Sequence, residues 1–185
     1  RHYRGIRHWQ DSVSALARLP VPVVAAVHGY CLGGGLDVIT ACDLRVCSSD
    51  AVFGVRETRV AIVADLGTLQ RLPRIVGPAV AAELAYTGRD FGAAYAERVG
   101  LVSRVVDGSG VEAYECALDV AREIAANSPL AVRGTKAVLS ANDGATVDEG
   151  LEFVARWNAL YLRSNDLTEA MTAFAEKRPP SFSGD

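Results

Sequence analysis

Three consecutive glycines, Gly33, Gly34 and Gly35, stand between a run of small and β-branched residues and a stripe of aliphatics. Each glycine loses more backbone freedom on folding than any other residue, so a triplet marks a place where the backbone must be bare. Upstream, Pro20 and Pro22 end the segment Val13–Leu19, whose apolar residues recur at helical spacing. Val23–Val27 then reads as a short strand buried on both faces, closed by His28 and Gly29. Downstream, Leu36, Val38, Ile39 and Cys42 form the apolar stripe of a helix. Strand, glycine turn and helix in that order predict an α/β fold.

Leu44–Cys47 and Val52–Val55 read as two further strands, separated by Ser48, Ser49 and Asp50. A loop through Glu57 and Asp65 leads into a helix over Thr68–Val76, which Pro73 is expected to kink, and a second helix covers Ala79–Tyr86. Leu101–Val106 is the last strand. Four helices follow over Val111–Ala126, Leu130–Ser140, Val147–Leu162 and Leu167–Ala175, with start signals at Ser128-Pro129, Thr146 and Asp166. The chain thus divides into an α/β part, residues 1–126, and a helical part, residues 127–185, whose Pro179, Pro180 and Ser/Gly-containing end read as a terminal extension.

Half of the 185 residues are hydrophobic and 22% are charged, which suits a packed core and argues against intrinsic disorder. Nineteen basic against 22 acidic residues leave a net charge of −3, so no basic surplus points to nucleic acid or an anionic membrane. The longest apolar runs, Val21–Val27 and Val60–Ala64, fall far short of the roughly 18 residues a membrane span needs. The chain begins at Arg1 without an initiator Met, and its basic, aromatic start lacks the apolar core of a secretory signal, so we expect a piece of something longer. Cys31, Cys42, Cys47 and Cys116 contain no C-x-x-C pair and read as reduced core thiols of a cytoplasm-like compartment, with no metal site expected.

The glycine turn supports two readings. It either exposes amide N–H groups to a ligand oxygen, with the positive end of the helix behind them, or lets the helix pack closely on the strand. A dinucleotide fingerprint fits poorly, because Gly33-x-Gly35-x-x-Val38 lacks its third glycine, and no Gly-Lys-Ser/Thr follows to make a P-loop. Asp37 falls in the first helical turn, where a carboxylate suits the dipole. Glu57 and Asp65 lie in an otherwise apolar stretch, where desolvation would raise a carboxyl pKa and suit it to proton transfer. The alternatives are an ion pair of Glu57 with Arg56 or Arg59, and Asp65 as a helix cap. His28 and Cys31 lack the partners of a nucleophilic site.

Residues 22–37 (PVVAAVHGYCLGGGLD) and Ala41–Arg45 (ACDLR), then Phe53, Glu57, Gly67–Pro73 (GTLQRLP), Gly77, Thr87-Gly88-Arg89, Ala96, Gly100-Leu101-Val102, Val105 and Ser128–Lys136, together resemble the crotonase, or enoyl-CoA hydratase/isomerase, superfamily. Nearly the whole chain is covered. The acidic set Asp37, Glu57 and Asp65 is similar to that of the Δ3,5-Δ2,4-dienoyl-CoA isomerase branch, whereas hydratases carry Glu at the place of Asp37. The resemblance implies the C-terminal part of a ClpP/crotonase-like ββα spiral core over residues 1–126 and a helical trimerisation region over 127–185. It implies an acyl-CoA substrate, a homotrimer or dimer of trimers, and no cofactor, CoA being part of the substrate. The cytoplasm of a bacterium, or the mitochondrial matrix or peroxisome of a eukaryote, would be its place.

The implied chemistry is an isomerisation through an enolate, whose oxygen is held by two backbone N–H groups. One is that of Gly34, flanked by Gly33 and Gly35; the other comes from a segment upstream of Arg1. Glu57 and Asp65 would exchange protons at the two ends of a dienoyl chain, with Asp37 orienting the site. Lys177 and Arg178 are candidates for contact with CoA phosphates. Hydration of a 2-enoyl-CoA and non-catalytic CoA binding are the alternatives.

Overall fold

The computed structural model describes residues 2–185. It forms two compact units, one of residues 2–19 with Val23–Val120, the other of Pro20–Pro22 with Ala121–Asp185.

The first unit opens with a helix, α1 (His2–Arg18), much longer than the segment its apolar spacing picks out. Val13 is its one buried residue, so the first half carries no core-facing stripe for periodicity to reveal. Strand β1 (Val24–Val27) is followed by β2 (Tyr30–Leu32), the glycine turn, and α2 (Gly34–Thr40). The pattern repeats with β3 (Leu44–Ser48) and β4 (Val52–Gly54), then a 3₁₀ turn over Glu57–Val60 and the helices α3 (Thr68–Val76) and α4 (Pro78–Thr87). It closes with β5 (Phe91–Gly92), α5 (Ala93–Arg98) and β6 (Arg104–Val106).

These strands stack in two separate sheets. One has the order β1-β3-β6, the other β2-β4-β5. Val24 pairs with Leu44 and Tyr30 with Val52, both parallel, so each strand of the first turn lies beside its counterpart about 20 residues on. That is a ββα spiral: a parallel neighbour needs a crossover, and here the crossover carries the second sheet's strand and the helix. Beneath it lies a core in which Leu36, Val46, Phe53, Leu72, Leu84 and Leu101 are all but inaccessible, and Phe53 stacks on Phe91 at 5.6 Å. Each such side chain contributes about 1.5–3 kcal/mol relative to exposure.

Helix α3 runs through Pro73 without interruption. Pro73 lies at the sixth position, late enough that its missing N–H costs a single bond of a nine-residue helix. The short strands β2 and β5 and helix α5 have too few residues to show a period, and they form through pairing and packing with distant segments.

Helix α6 (Gly110–Ala125) carries the chain from the first unit into the second, which holds α7 (Pro129–Ala141), α8 (Val147–Tyr161) and α9 (Asn165–Glu176). Ser128 caps α7, and Thr146 with Glu149 closes a reciprocal capping box on α8. The cap of α9 is Ser164, not Asp166. Asp166 does something else: it accepts hydrogen bonds from Ser128 Oγ at 2.5 Å, Ser183 N at 2.8 Å and Gly184 N at 3.0 Å. The segment beyond Pro180 is therefore no loose extension, because Ser183 N and Gly184 N donate to the buried Asp166 and Ser181 N donates to Glu169. Between α7, α8, α9 and this segment lies a cavity of about 250 Å³ lined by Trp157, Tyr161, Leu167 and Phe182.

Candidate active site

Gly33 shapes the start of α2. Its φ of 52° and ψ of −116° lie where side-chain-bearing residues are strained, and a Cβ there would stand 3.2 Å from Glu57 Oε1. Of the triplet, this is the residue whose conformation demands glycine. Its N–H donates to Gly54 O at 2.9 Å, and its carbonyl accepts from Leu36 N and Asp37 N. Gly34, at the surface, opens the helix, so its N–H is among the first-turn donors that have no carbonyl one turn back to bond. Gly35 packs on the Cys31 sulfur, at 3.4 Å from an added Cβ. Gly34 thus leaves an amide at a helix start, and Gly35 permits close packing.

Glu57 begins the 3₁₀ turn, 8% exposed, and its Oε2 has no hydrogen-bond partner among the described residues. Burial pushes its carboxyl above the usual carboxylate range, a bond from its own backbone N–H opposes this, and the charges of Asp37 and Asp65 raise it further. The expected ion pairs with Arg56 or Arg59 do not form. Arg56 makes a two-point contact with Asp90, and Arg59 lies 3.7 Å from the same carboxylate. Both arginines are drawn away from Glu57, which stays unneutralised.

Asp37 is 2% exposed, and its Oδ1 accepts from both Thr68 N and Thr68 Oγ1, each at 2.7 Å. The N-cap of α3 is Gly67, which supplies no side-chain bond, so Asp37 caps α3 from another helix. Thr68 went unnoticed in the sequence. A threonine at a helix start reads as a cap for its own helix; the free signal was Gly67, which leaves that role open.

Asp65 departs from expectation in two ways. It is exposed, so the apolar residues around it in sequence do not desolvate it, and it does not cap α3. Val60, Ile62 and Val63 face solvent instead of packing on it. Its backbone carbonyl accepts from Gln10 Nε2 at 2.6 Å, which ties this loop to α1. Its charge nonetheless reaches Glu57, as does that of Asp37. Glu57, beside the glycine turn, thus feels two further carboxylate charges: that of Asp37, buried and hydrogen-bonded, and that of Asp65, exposed.

The remaining candidates lie apart from this chemistry. His28 is exposed and lies against Gly110. Burial, and then Cys47, pushes the Cys31 thiol up to about 12, far from a reactive thiolate. All four cysteines are free. Lys177 belongs to the second unit, exposed at the left-handed end of α9 with a φ of 55°. Arg178 is not available as expected: it pairs with Glu169 and Glu176 at 2.6 Å each. Among the described residues no helix is long and apolar enough to cross a membrane, and no cluster of three His, Cys, Asp or Glu is arranged to hold a metal ion.

Comparison with known proteins sharpens this picture. The sequence model of the enoyl-CoA hydratase/isomerase family matches residues 5–185. The chain is 49% identical over 180 residues to the mitochondrial Δ(3,5)-Δ(2,4)-dienoyl-CoA isomerase of Dictyostelium discoideum, covering 97% of this chain and 61% of that one. It is 51% identical over 179 residues to the peroxisomal Δ(3,5)-Δ(2,4)-dienoyl-CoA isomerase of Arabidopsis thaliana, covering 97% and 64% respectively. The chain thus spans under two thirds of the length of these relatives. Among solved structures, an enoyl-CoA hydratase from Bacillus anthracis superposes with a TM-score of 0.94 at 36% identity, over 99% of this chain and 70% of that one.

Proposed function

The chain belongs to the enoyl-CoA hydratase/isomerase family, and on that footing we propose that it isomerises 3,5-dienoyl-CoA thioesters to 2,4-dienoyl-CoA in the breakdown of unsaturated fatty acids. The observation that carries this reading is Glu57: a buried carboxyl with an unbonded oxygen, beside the glycine turn and within reach of two further carboxylate charges. Burial, helped by the two neighbouring charges, raises this carboxyl above its ordinary range, which suits it to hold and release a proton. The dienoyl-CoA isomerase relatives support the same substrate class.

In this mechanism the thioester carbonyl is the electron sink, so no cofactor is required. The Gly34 N–H stabilises the enolate oxygen, together with a second backbone donor. One carboxylate of the pair Glu57 and Asp65 takes a proton from C2. The negative charge delocalises through both double bonds, and the other carboxylate returns a proton at C6, which leaves the 2,4-diene. Asp37 orients and tunes the pair. Lys177 is the residue we assign to a CoA phosphate. In a eukaryotic cell the mitochondrial matrix or peroxisome, and in a bacterium the cytoplasm, would hold the substrate.

The second unit supports a homotrimer or dimer of trimers. Leu151, Leu160, Met171 and Phe174 are 59–83% exposed on α8 and α9, apolar surface of the kind that subunit contacts cover. Light scattering of the purified protein, and of a Phe174→Glu variant, reads this directly.

The similarity to an enoyl-CoA hydratase favours one competing reaction, the addition of water to a 2-enoyl-CoA. Purified full-length protein given each substrate separates the two. Appearance of conjugated 2,4-dienoyl absorbance, abolished by Glu57→Gln and by Asp65→Asn, supports isomerisation. Water addition without isomerisation overturns it, and unchanged turnover in both variants removes the carboxylates from the mechanism.

A further inference from the structure

Thr68 places both of its donors on a single oxygen, Asp37 Oδ1, at 2.7 Å each. An N–H and an O–H can only donate there, so the geometry requires that oxygen to be an acceptor. Two donors on one oxygen also fix the carboxylate's rotation, which one bond would leave free. Both residues are buried, Thr68 at 1% exposure, so neither bond competes with bulk water. The N-terminus of α3 adds its positive end behind the same oxygen.

The surroundings show what this clamp is for. Toward Asp37, α3 also presents Arg71, whose guanidinium feels the Asp37 charge but spends its hydrogen bonds on Leu66 O at 3.3 Å and Ser14 Oγ of α1 at 2.7 Å. Arg71 is further influenced by Arg18, also on α1. Beside Glu57 stands Gly33, the residue before α2, where an added Cβ would lie 3.2 Å from Oε1, and the charges of Asp37 on α2 and Asp65 in the loop before α3 both act on Glu57. Asp65 is exposed and its charge is screened by solvent; Asp37 is buried and its charge is not.

We propose that Thr68 is a positioning residue that acts on Glu57 through Asp37, its paired N–H and hydroxyl donors holding the Asp37 charge fixed beside the proton-transferring carboxyl. The inference rests on the reading of Glu57 as a proton carrier and deepens it: the pair Asp37 and Thr68 adds to burial in setting how readily Glu57 keeps its proton. The upward push on Glu57 from the Asp37 charge agrees in direction.

The test is an infrared pH titration of full-length protein carrying ¹³C-labelled glutamate, with the Glu57 band identified by subtraction of Glu57→Gln. Asp37→Asn should move the Glu57 midpoint down, because a repelling charge is gone. Thr68→Val keeps the backbone donor and the side-chain shape but loses the hydroxyl, so it should move the midpoint the same way by less. Thr68→Ser should restore the wild-type midpoint, and Asp37→Asn/Thr68→Val should match Asp37→Asn alone. In turnover, Thr68→Val should lower kcat about tenfold while KM stays within about twofold. An unmoved or raised midpoint in Thr68→Val, a midpoint unmoved in Asp37→Asn, or additive effects in the double variant would overturn the proposal. A wild-type protein that does not isomerise dienoyl-CoA defeats the functional reading instead, and the titration still decides the coupling.

Discussion

Two buried acidic side chains, Asp166 of the second unit and Glu57 of the first, are held in opposite ways. In the second, Asp166 accepts four hydrogen bonds, from Ser128, from the amide and hydroxyl of Ser183 and from Gly184, and these hold its carboxyl below the usual range, Ser128 foremost. In the first, Glu57 Oε2 has no bond, and burial holds its carboxyl above that range. Satisfying a buried carboxylate makes it a fastener, fixed in one protonation state. Leaving one unsatisfied costs stability and keeps both states within reach, which is the property a proton carrier needs. The difference separates a satisfied structural acid from one whose environment suits proton exchange, without reference to any relative.

Exchanging Glu57 for its amide tests the contrast most severely in turnover. Glu57→Gln should lower kcat on 3,5-dienoyl-CoA by about 10²–10⁴, the range for loss of a general acid or base. Next in size is Gly33→Ala, which combines a backbone strain of about 1–3 kcal/mol with a methyl group 3.2 Å from Glu57 Oε1. Its kcat should fall about tenfold or more, as expected of a misplaced reacting group.

Asp166→Ala should lower the melting temperature by several degrees at neutral pH. Because the folded-state carboxyl titrates below its ordinary value of 3.8, its stabilisation is complete above that value and is lost as pH falls through the depressed one. Wild type and variant should therefore converge in strong acid, as thermal melts across pH would show. The smallest effect has the opposite sign. The folded state binds the Glu57 proton more tightly than the unfolded chain, so ionising Glu57 destabilises the fold as pH rises from about its ordinary 4.5 through the raised folded value. Glu57→Gln should melt higher than wild type at neutral pH, by about 2 °C, and the gain should vanish in acid. A variant that is both less active and less stable at neutral pH would make Glu57 another fastener and erase the comparison.

The same division governs what could be read from the residues. The glycine turn, the strand before it and the long capped helices show in the sequence because each rests on local chemistry: φ freedom at Gly33, β-branched residues, Thr146 with Glu149. Strand β2 and strand β5 do not show, since three and two residues carry no period and their partners lie some 20 and 40 positions away. The three carboxylates stand out as charges near apolar residues, yet only two of them are buried. Neighbours in sequence predict desolvation at Asp65 that the folded loop does not provide, because Val60, Ile62 and Val63 turn outward. Thr68, and the recruitment of Arg56 and Arg59 by Asp90, depend on contacts across roughly 30 residues and leave no local trace. The docked end of the chain is hidden for the same reason: Ser183 and Gly184 resemble a flexible tail until Asp166 is known to face them.

The spiral's stagger has a further consequence. Between β1 and β3 the paired strands are 20 residues apart, but between β3 and β6 the distance along the chain is 58, and the added length is the stretch that carries Glu57, Asp65 and Thr68. The segment that carries the candidate site residues is thus spliced between two rungs of a ladder whose spacing it does not set. Its length and composition can be rewritten while the rungs keep their alignment, so a library varied only over residues 58–64 should return folded proteins with altered substrate preference more often than one varied within the rungs themselves.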